Sequence, residues 1–462
     1  MDTLYPHCAG IDVHKQTVVV CVRHHDGHRP ARQQIRTFPT HTQALLQLSD
    51  WLAQEGVTHV AMESTGVYWK PVYNLLEGHF QLLLVNAQHI KQVPGRKTDI
   101  KDCAWIAQLL QHGLLKASFV PPAPQRELRE LTRQRVQLVN EQTSVANRIQ
   151  KVLEDANIKL ASVASDILGV SGRAMLEALI GGEENSEKLA DLAQRRLRGK
   201  IPQLREALQG RVAEHHRFLL RLLLDHLDHL ESLVGRLSVR IEEFLAAQGE
   251  VLERLTSIPG VKQRVAEVVL AEVGSDVERF PTVAHLASWA GLCPGNNESA
   301  GKRRSGKTTK GSQWLRATLV QAAWAAAHTK ETYVAARYRR LAKRRGVKRA
   351  LVAVAHTLLG IIYQVLKRRT TYSELGADYY DRLEPERLKR HLVRKLEQLG
   401  HKVRAGRRKK VIHAAQLTTA HRRRLVTAAA EDFDVRLLCQ VAGLAPRSSR
   451  SPWSSHATAI AA

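Results

Sequence analysis

Four acidic residues stand at positions where a fold of mixed strands and helices could gather them. Asp12 ends the first predicted strand, Glu63 ends a later one, and Asp99 and Asp102 lie three residues apart at the start of a predicted helix. Residues three apart share a helix face, so both aspartates can point to the same spot. Clustered carboxylates repel one another unless a cation lies among them, and hard oxygen ligands select Mg²⁺ or Mn²⁺. Two such ions could stabilise the attacking and leaving oxygens of a phosphodiester exchange.

Each of these carboxylates also has an ordinary structural explanation. Asp12 could cap a turn, and Asp99 could be the N-cap of its helix. Asp102 could be favoured in the first helical turn by the helix dipole. The residues alone are therefore compatible both with a metal site and with three unrelated local roles.

A glycine-containing basic stretch at residues 301–310, GKRRSGKTTK, satisfies the spacing of a phosphate-binding P-loop, GxxxxGK[ST]. A P-loop follows a buried apolar strand and opens directly into a helix, whereas the preceding GLCPGNNESA is polar and rich in turn residues. We interpret the stretch instead as a basic loop that lies on nucleic acid. Its expected contacts come from Lys302, Arg303, Arg304, Lys307 and Lys310.

The composition favours a polyanionic partner. The 462 residues include 70 Lys and Arg against 44 Asp and Glu, for a formal net charge of +26. Neutralising phosphates releases counterions and gains affinity, so nucleic acid is the expected partner. No apolar run approaches the roughly eighteen residues of a spanning helix, and the N-terminus lacks the pattern of a signal peptide. We therefore expect a cytoplasmic protein without a membrane partner.

Residues 1–118 have the pattern of an α/β domain. Two strands are predicted within residues 8–25 and a third near 34–38, followed by alternating helices and strands up to residue 85 and by a helix over 99–113. That order predicts a mixed central sheet. The proline-rich SFVPPAPQ that begins at Ser118 marks the boundary.

The remaining chain is predicted to be helical. In residues 119–250, apolar residues from Leu220 to Phe244 alternate spacings of three and four, which favours a coiled coil that self-associates or pairs antiparallel with the helix at 125–155. An amphipathic helix packed inside one domain is the alternative. Residues 251–380 predict an all-α domain whose core includes Trp289, Trp314 and Trp324. Residues 381–462 are predicted to be a basic, largely disordered tail, either a read-through extension or an RNA-binding arm.

Two sets of motifs resemble one known family. GIDVHK, AMESTGVYW and KTDIKDCAWIAQLL are similar to motifs of the RuvC-like DEDD transposases of bacterial insertion sequences, the insertion sequence 110 family, which includes the Piv and MooV invertases. SIPGVKQRVAEVVLAEVG, FPTVAHLASWAGLCPGNNESAGKRRSGKTTKGSQWLR and ATLVQAAWAAA follow in the family's order. The resemblance covers most of residues 8–380 and implies an RNase H/RuvC-like fold for the α/β domain.

The resemblance also implies roles and partners. Asp12, Glu63, Asp99 and Asp102 would be the ligands of Mg²⁺ or Mn²⁺, and Ser299 would attack the phosphodiester and hold DNA as a phosphoserine. Ala300 interrupts the family's Ser-Gly pattern, which leaves Ser305 as the alternative nucleophile. The implied partners are donor and target DNA, a bridge RNA, and further copies of the chain in a homodimer or homotetramer, in which one subunit's carboxylates meet another's serine.

Two other functions compete with this one. A RuvC-like nuclease or junction resolvase would use the carboxylates and water, with no role for Ser299. A non-catalytic DNA- or RNA-binding protein decayed from a transposase would use neither. A covalent protein–DNA adduct distinguishes the recombinase from both.

Overall fold

The computed structural model describes residues 3–25, 32–64, 66–86, 102–295, 297–299 and 301–401. The chain divides into two compact units, unit 1 (Met1–Arg126) and unit 2 (Glu127–Ala462).

Unit 1 is built around a mixed sheet that has five strands in its described part. The strands are β1 (His7–Val13), β2 (Thr17–His24), β3 (Arg32–Pro39), β4 (His59–Glu63) and β5 (Gln81–Val85). Their order in the sheet is β3-β2-β1-β4-β5, with β1 antiparallel to β2, β2 antiparallel to β3, and β1, β4 and β5 mutually parallel. Four valines lie in β2, and Ile11 and Val13 lie in β1, which suits a pleated, buried surface. The predicted α/β organisation is confirmed.

Helices cover both faces of this sheet. Helices α1 (Thr42–Gln54) and α2 (Trp69–Leu76) bury Leu48 and Val72 on one face, against Ile11 of β1. Helix α3 (Asp102–Gln111) packs on the other face, where Ile106 meets Ala61 of β4. Successive strand residues point to opposite faces, so β1 alternates between these two cores.

Unit 2 begins with a long helical pair. Its first helices are α4 (Ala123–Asp155), whose first four residues belong to unit 1, α5 (Leu160–Val163), α6 (Val170–Ile180), α7 (Ser186–Asp191), α8 (Ile201–Ala207) and α9 (Glu214–Leu245). Asp155 bonds His216, while Arg135 bonds Ser238, so α4 and α9 run antiparallel. The apolar residues of α9 are buried in a core shared with α4 and the short helices. Leu224 is also buried there although it lies outside the alternation of three and four, so the apolar stripe is wider than that alternation predicts. In this structure, the antiparallel partner of α9 is therefore α4 of the same chain.

The second core of unit 2 is also helical and carries a small hairpin. Its elements are α10 (Gly249–Thr256), α11 (Gln263–Val273), α12 (Val283–Trp289), β6 (Asn297–Ser299), β7 (Lys302–Ser305), α13 (Gln313–His328), α14 (Tyr333–Arg345) and α15 (Val347–Arg368), followed by α16 (Tyr379–Leu383) and α17 (Pro385–Gln398). Leu319 of α13, Val334 of α14 and Leu358 of α15 meet in this core. The helical C-terminal part is thus confirmed.

Helix α15 is apolar enough to cross a membrane by length and composition. It is the one such helix in the part of the chain that the structure describes. Leu358, Leu359 and Ile362 are fully buried in the core, so packing within unit 2 accounts for its apolar character.

Two sequence predictions differ from the structure. Trp324 was expected in the core, but 57% of it is exposed, because α13 turns its alanine-rich face inward and leaves the indole outside. The start of the segment predicted as a disordered tail is helical, since Leu388, Leu392 and Leu396 follow helical spacing in α17 after Pro385 at the helix start. Residues 402–462 lie outside the described residues.

Candidate active site and nucleic-acid interface

The first two candidate carboxylates lie side by side at one edge of the sheet of unit 1. Strands β1 and β4 are parallel, with Ile11 opposite Met62, so Asp12 and Glu63 are the next residues on the two neighbouring strands. Alternate strand residues share a face. Glu63 therefore lies on the same face as Ala61, which packs against α3. Asp12 likewise shares the face of Gly10, which α3 covers.

A close approach of helix to strand brings the third carboxylate to this edge. A Cβ atom on Gly10 would lie 2.3 Å from the carbonyl oxygen of Cys103 and 2.4 Å from the backbone nitrogen of Ala107. Only a glycine permits α3 to lie this close to β1. Because Cys103 is over Gly10, Asp102, the first residue of α3, starts the helix next to the end of β1.

The electrostatics of Asp12 reflect this crowding. Burial raises the pKa of its carboxyl, and the negative charge of Asp102 raises it further, while His14 opposes the shift. His14 Nε2 lies 3.2 Å from Asp12 Oδ2. A cluster of carboxylate oxygens whose charges oppose one another is a donor set that suits a hard divalent cation.

The sequence also predicted Asp99 as a ligand, and it did not predict a role for His14. Asp99 lies outside the described residues. His14 was not singled out from the sequence, although its position two residues after Asp12 put it on the same side of the chain. The feature that could have identified His14 is the alternation of residues along GIDVHK, continued one residue beyond Val13, where β1 ends.

Ser299 lies on a hairpin in unit 2. It ends β6, and its backbone pairs with that of Lys302 at the start of β7. Gly301 between them has a φ of +72°, the left-handed conformation that favours glycine. Ser299 therefore precedes the hairpin turn. The stretch 301–308 includes β7 and is separated from α13, so it lacks the strand–loop–helix order of a P-loop.

Ser305, the alternative nucleophile, lies at the other end of the hairpin. Its backbone pairs with that of Asn297, and its hydroxyl oxygen accepts a hydrogen bond from the Lys307 amide at 3.2 Å. Of the predicted nucleic-acid contacts, Lys302, Lys307 and Lys310 are exposed. Arg303 and Arg304 belong to β7.

The base of the hairpin is held by backbone packing and a buried acid. The hairpin lies within residues 291–311. A Cβ atom on Gly311 would lie 2.3 Å from the Gly291 nitrogen, so the two ends of this segment are in contact. Ser312 then caps α13, accepting a bond from the Leu315 amide while its hydroxyl donates to Glu272 Oε2 at 3.1 Å. Glu272 is 1% exposed and receives two bonds from Arg133 at 2.7 and 2.9 Å. The hairpin thus starts from a rigid base.

Unit 2 also contains a group of possible metal ligands that the sequence analysis did not identify. Ligand atoms of Asp155, His215 and His216 lie within 4.8 Å of one another. However, His216 Nδ1 accepts the Ala213 amide at 3.1 Å, so Nε2 carries the proton and donates it to Asp155 at 2.9 Å. Both ring nitrogens of His216 are engaged. We assign this group to fixing the start of α9 rather than to metal binding.

Comparison with known proteins decides the family. Residues 9–158 match a DEDD transposase family model, described as "Transposase", and residues 252–340 match the "Transposase IS116/IS110/IS902 family". Together these matches cover more than half of the chain. The chain belongs to the IS110 family of transposases. This transposase is therefore an enzyme whose substrate is DNA.

Two curated relatives agree with this assignment. The transposase is 25% identical, over 63% of its chain and 72% of the relative, to the "Transposase for insertion sequence element IS1111A" of Coxiella burnetii. It is 33% identical, over 26% of its chain and 29% of the relative, to the "Insertion element IS110 uncharacterized 43.6 kDa protein" of Streptomyces coelicolor. The DEDD family also suggests that this transposase depends on a divalent metal ion.

Proposed function

We propose that this transposase cleaves and rejoins donor and target DNA through a carboxylate site in unit 1 and a serine nucleophile in unit 2. Asp12, Glu63, Asp99 and Asp102 hold Mg²⁺, and Ser299 becomes a phosphoserine. The observation that carries the proposal is the meeting of Asp12, Glu63 and the start of α3 at one edge of the sheet. We assign unit 1 to the RNase H/RuvC-like fold, which the antiparallel β1–β3 and parallel β4–β5 support.

The carboxylates have a defined task. A bound Mg²⁺ would supply positive charge to the phosphate and lower the pKa of a hydroxyl near it. Asp12 and Glu63 provide oxygens from adjacent strand ends, and Asp102 provides one from a helix whose position Gly10 determines. Because burial raises the pKa of Asp12, its ionised carboxylate would be stabilised by a cation beside it.

The covalent step exchanges one phosphodiester for another. The Ser299 hydroxyl forms a bond to phosphorus as the bond from phosphorus to the leaving strand breaks. The proton that the serine loses ends on the hydroxyl of the leaving strand. A hydroxyl of the second DNA strand reverses the exchange, restoring Ser299 and joining the strands. A serine hydroxyl needs such activation because it is a weak nucleophile at its free pKa.

The proposed partners follow from the same family. A bridge RNA pairs with donor and target DNA, and two or four copies of the chain assemble so that the carboxylates of one subunit serve the serine of another. The basic surface of the hairpin at Lys302, Lys307 and Lys310 supports contact with nucleic acid.

The carboxylate site is tested by removing its ligands one at a time. We expect Asp12→Ala, Glu63→Ala and Asp102→Ala each to reduce strand cleavage in Mg²⁺ by at least about 100-fold, a typical loss for a group that stabilises transition-state charge. Affinity for DNA should stay within about twofold, because the contacts that provide it are cationic. Cleavage is measured on labelled donor DNA and affinity by fluorescence anisotropy.

Asp50→Ala is the matched control, since Asp50 is an exposed acid on α1, which packs on the opposite face of the sheet. It should cleave at the wild-type rate. Wild-type cleavage by any two of the three site variants would contradict the metal site.

A further inference from the structure

Trp324 is an exposed aromatic side chain on an otherwise well-packed helix. The inward face of α13 buries Leu315, Leu319 and Ala323, while 57% of Trp324 on the outer face is exposed. Isolated exposed apolar residues are common and need no ligand. The neighbours of Trp324 therefore determine whether its position has a function.

A second ring packs closely against the indole at an angle. His328, one turn further along α13, has its ring centroid 4.4 Å from that of Trp324, with the planes 40° apart. His328 Nδ1 lies 2.7 Å from the Trp324 carbonyl oxygen. Because that oxygen only accepts, Nδ1 is the donor of this hydrogen bond. The ring of Tyr338 on α14 follows, 6.5 Å from that of His328.

The helix that carries Tyr338 is strongly basic. Between Gly301 and Arg349 the sequence has fifteen Lys and Arg residues and one acid, Glu331. Helix α14 exposes five of these cations, and within the described chain none of the five forms an ion pair: Arg339, Arg340, Lys343, Arg344 and Arg345. Such a surface attracts a polyanion rather than an apolar protein partner.

We propose that Trp324 and His328 form a stacking platform for an unpaired base of single-stranded DNA, with the neighbouring phosphates on the cations of α14. Aromatic side chains bind single strands by stacking on exposed base faces, while cations follow the backbone. The bases of a duplex are already stacked on one another, so the platform selects DNA that has been unpaired. The inference rests on the proposed function in one respect: strand exchange must unpair DNA.

The test uses the full chain and three fluorescent probes: a twelve-nucleotide oligo(dT), the same length of abasic DNA, and a DNA duplex. Trp324→Ala should weaken oligo(dT) binding roughly tenfold, a typical loss for one stacked base. Its affinity for abasic DNA and duplex should equal that of the wild type. Trp324→Phe, which keeps a ring, should recover most of the lost affinity. Val347→Ala is the control, because Val347 is 56% exposed in the same unit, and it should bind all three probes normally.

Several results would overturn the platform. Unchanged oligo(dT) binding by Trp324→Ala, an equal loss for abasic DNA, or no oligo(dT) binding by the wild type would each do so. The same titrations are repeated with oligo(U) of the same length, and a loss confined to that RNA would assign the surface to RNA and contradict the DNA proposal. Failure here is separable from failure of the proposed function, because the carboxylate variants are scored on Mg²⁺-dependent cleavage and Trp324→Ala on single-strand affinity.

Discussion

Asp12 shows how this site differs from the rest of the sheet of unit 1. Its neighbours Ile11 and Val13 are fully buried, whereas Asp12 keeps 20% of its side chain exposed beside His14. Burial and the charge of Asp102 raise the pKa of Asp12, which means that the site disfavours the ionised carboxylate in the absence of a cation. Carboxylates perturbed in this way concentrate at functional sites.

Gly10 determines whether α3 can hold Asp102 next to Asp12. We predict that Gly10→Ala weakens the packing of β1 against α3 by about 3 kcal/mol, the upper end of overpacking costs. The reason is that the new Cβ atom would meet backbone atoms of Cys103 and Ala107, which cannot rotate away. Hydrogen exchange of the β1 and α3 amides should become roughly 100-fold faster, and DNA cleavage should fall because Asp102 moves.

Gly235→Ala provides the control for this change. Gly235 lies in α9, and a Cβ atom added there would have no other atom within 4 Å, so alanine should stabilise that helix by about 0.5 to 1 kcal/mol. Wild-type amide exchange in Gly10→Ala would show that α3 is not held by this contact.

The sequence predicted some of these residues and missed others for physical reasons. The positions of Asp12, Glu63 and Asp102 at strand ends and a helix start made a shared site one of two possibilities, and the family resemblance then favoured it. The exposure of Trp324 was not predictable in the same way, because alanines directly on both sides of it leave no polar residue next to it to mark the outward face of α13. Which face of such a helix is inward depends on partners far along the chain.

At the scale of elements, buried charges connect α4 to α11. Arg135 Nη2 lies 2.5 Å from Glu267 Oε2, with the two side chains 4% and 1% exposed. In the sequence, Arg135 only interrupts a heptad of α4. Its partner is 132 residues away, so local periodicity predicted the helix but could not reveal why a cation belongs in its apolar seam.

Replacing one member of this pair should cost more stability than its share of the cost of replacing both. We predict that Glu267→Met and Arg135→Met each destabilise unit 2 by about 3 to 5 kcal/mol, because each leaves a buried group without its partner. Arg135→Met combined with Glu267→Met should cost clearly less than the two single losses added together. Urea denaturation of the four proteins measures this coupling.

The exposed pair of Arg240 and Glu243 is the reference, with side chains 65% and 58% exposed. Breaking it should change the free energy of unfolding by less than about 1 kcal/mol. Strictly additive losses at Arg135 and Glu267 would mean that the two charges do not depend on each other.

At the scale of the whole molecule, charge and chemistry are distributed over the two units. The carboxylates belong to unit 1, and Ser299 and the basic hairpin belong to unit 2. The α/β and helical parts were predictable because hydrophobic periods are local. The antiparallel partnership of α4 and α9 was one of two possibilities in the sequence, because a seam indicates that a helix has a partner but not which one.

The basic hairpin should dominate the salt dependence of DNA binding. We predict that changing Lys302, Arg303, Arg304 and Lys307 to Gln flattens the slope of log affinity against log salt by roughly 3 to 4 on duplex DNA, since each phosphate contact contributes about 0.9. Anisotropy titrations at several salt concentrations measure the slope.

A control with the same loss of charge replaces cations that already pair with carboxylates, namely Lys188, Arg205, Arg240 and Arg254. Its slope should change much less. An unchanged slope in the hairpin variant would show that this surface does not touch DNA.

The most direct test of the proposed mechanism is whether labelled DNA becomes covalently attached to Ser299. The transposase, Mg²⁺ and donor DNA with its bridge RNA are mixed, denatured and separated by electrophoresis. We predict an adduct with wild type and with Ser305→Ala, and none with Ser299→Ala or Asp102→Ala, because the serine needs the carboxylate site to react. An adduct that survives Ser299→Ala but not Ser305→Ala would contradict the position of the nucleophile. Nicked DNA without an adduct in any of these proteins would contradict the serine mechanism and favour hydrolysis by water.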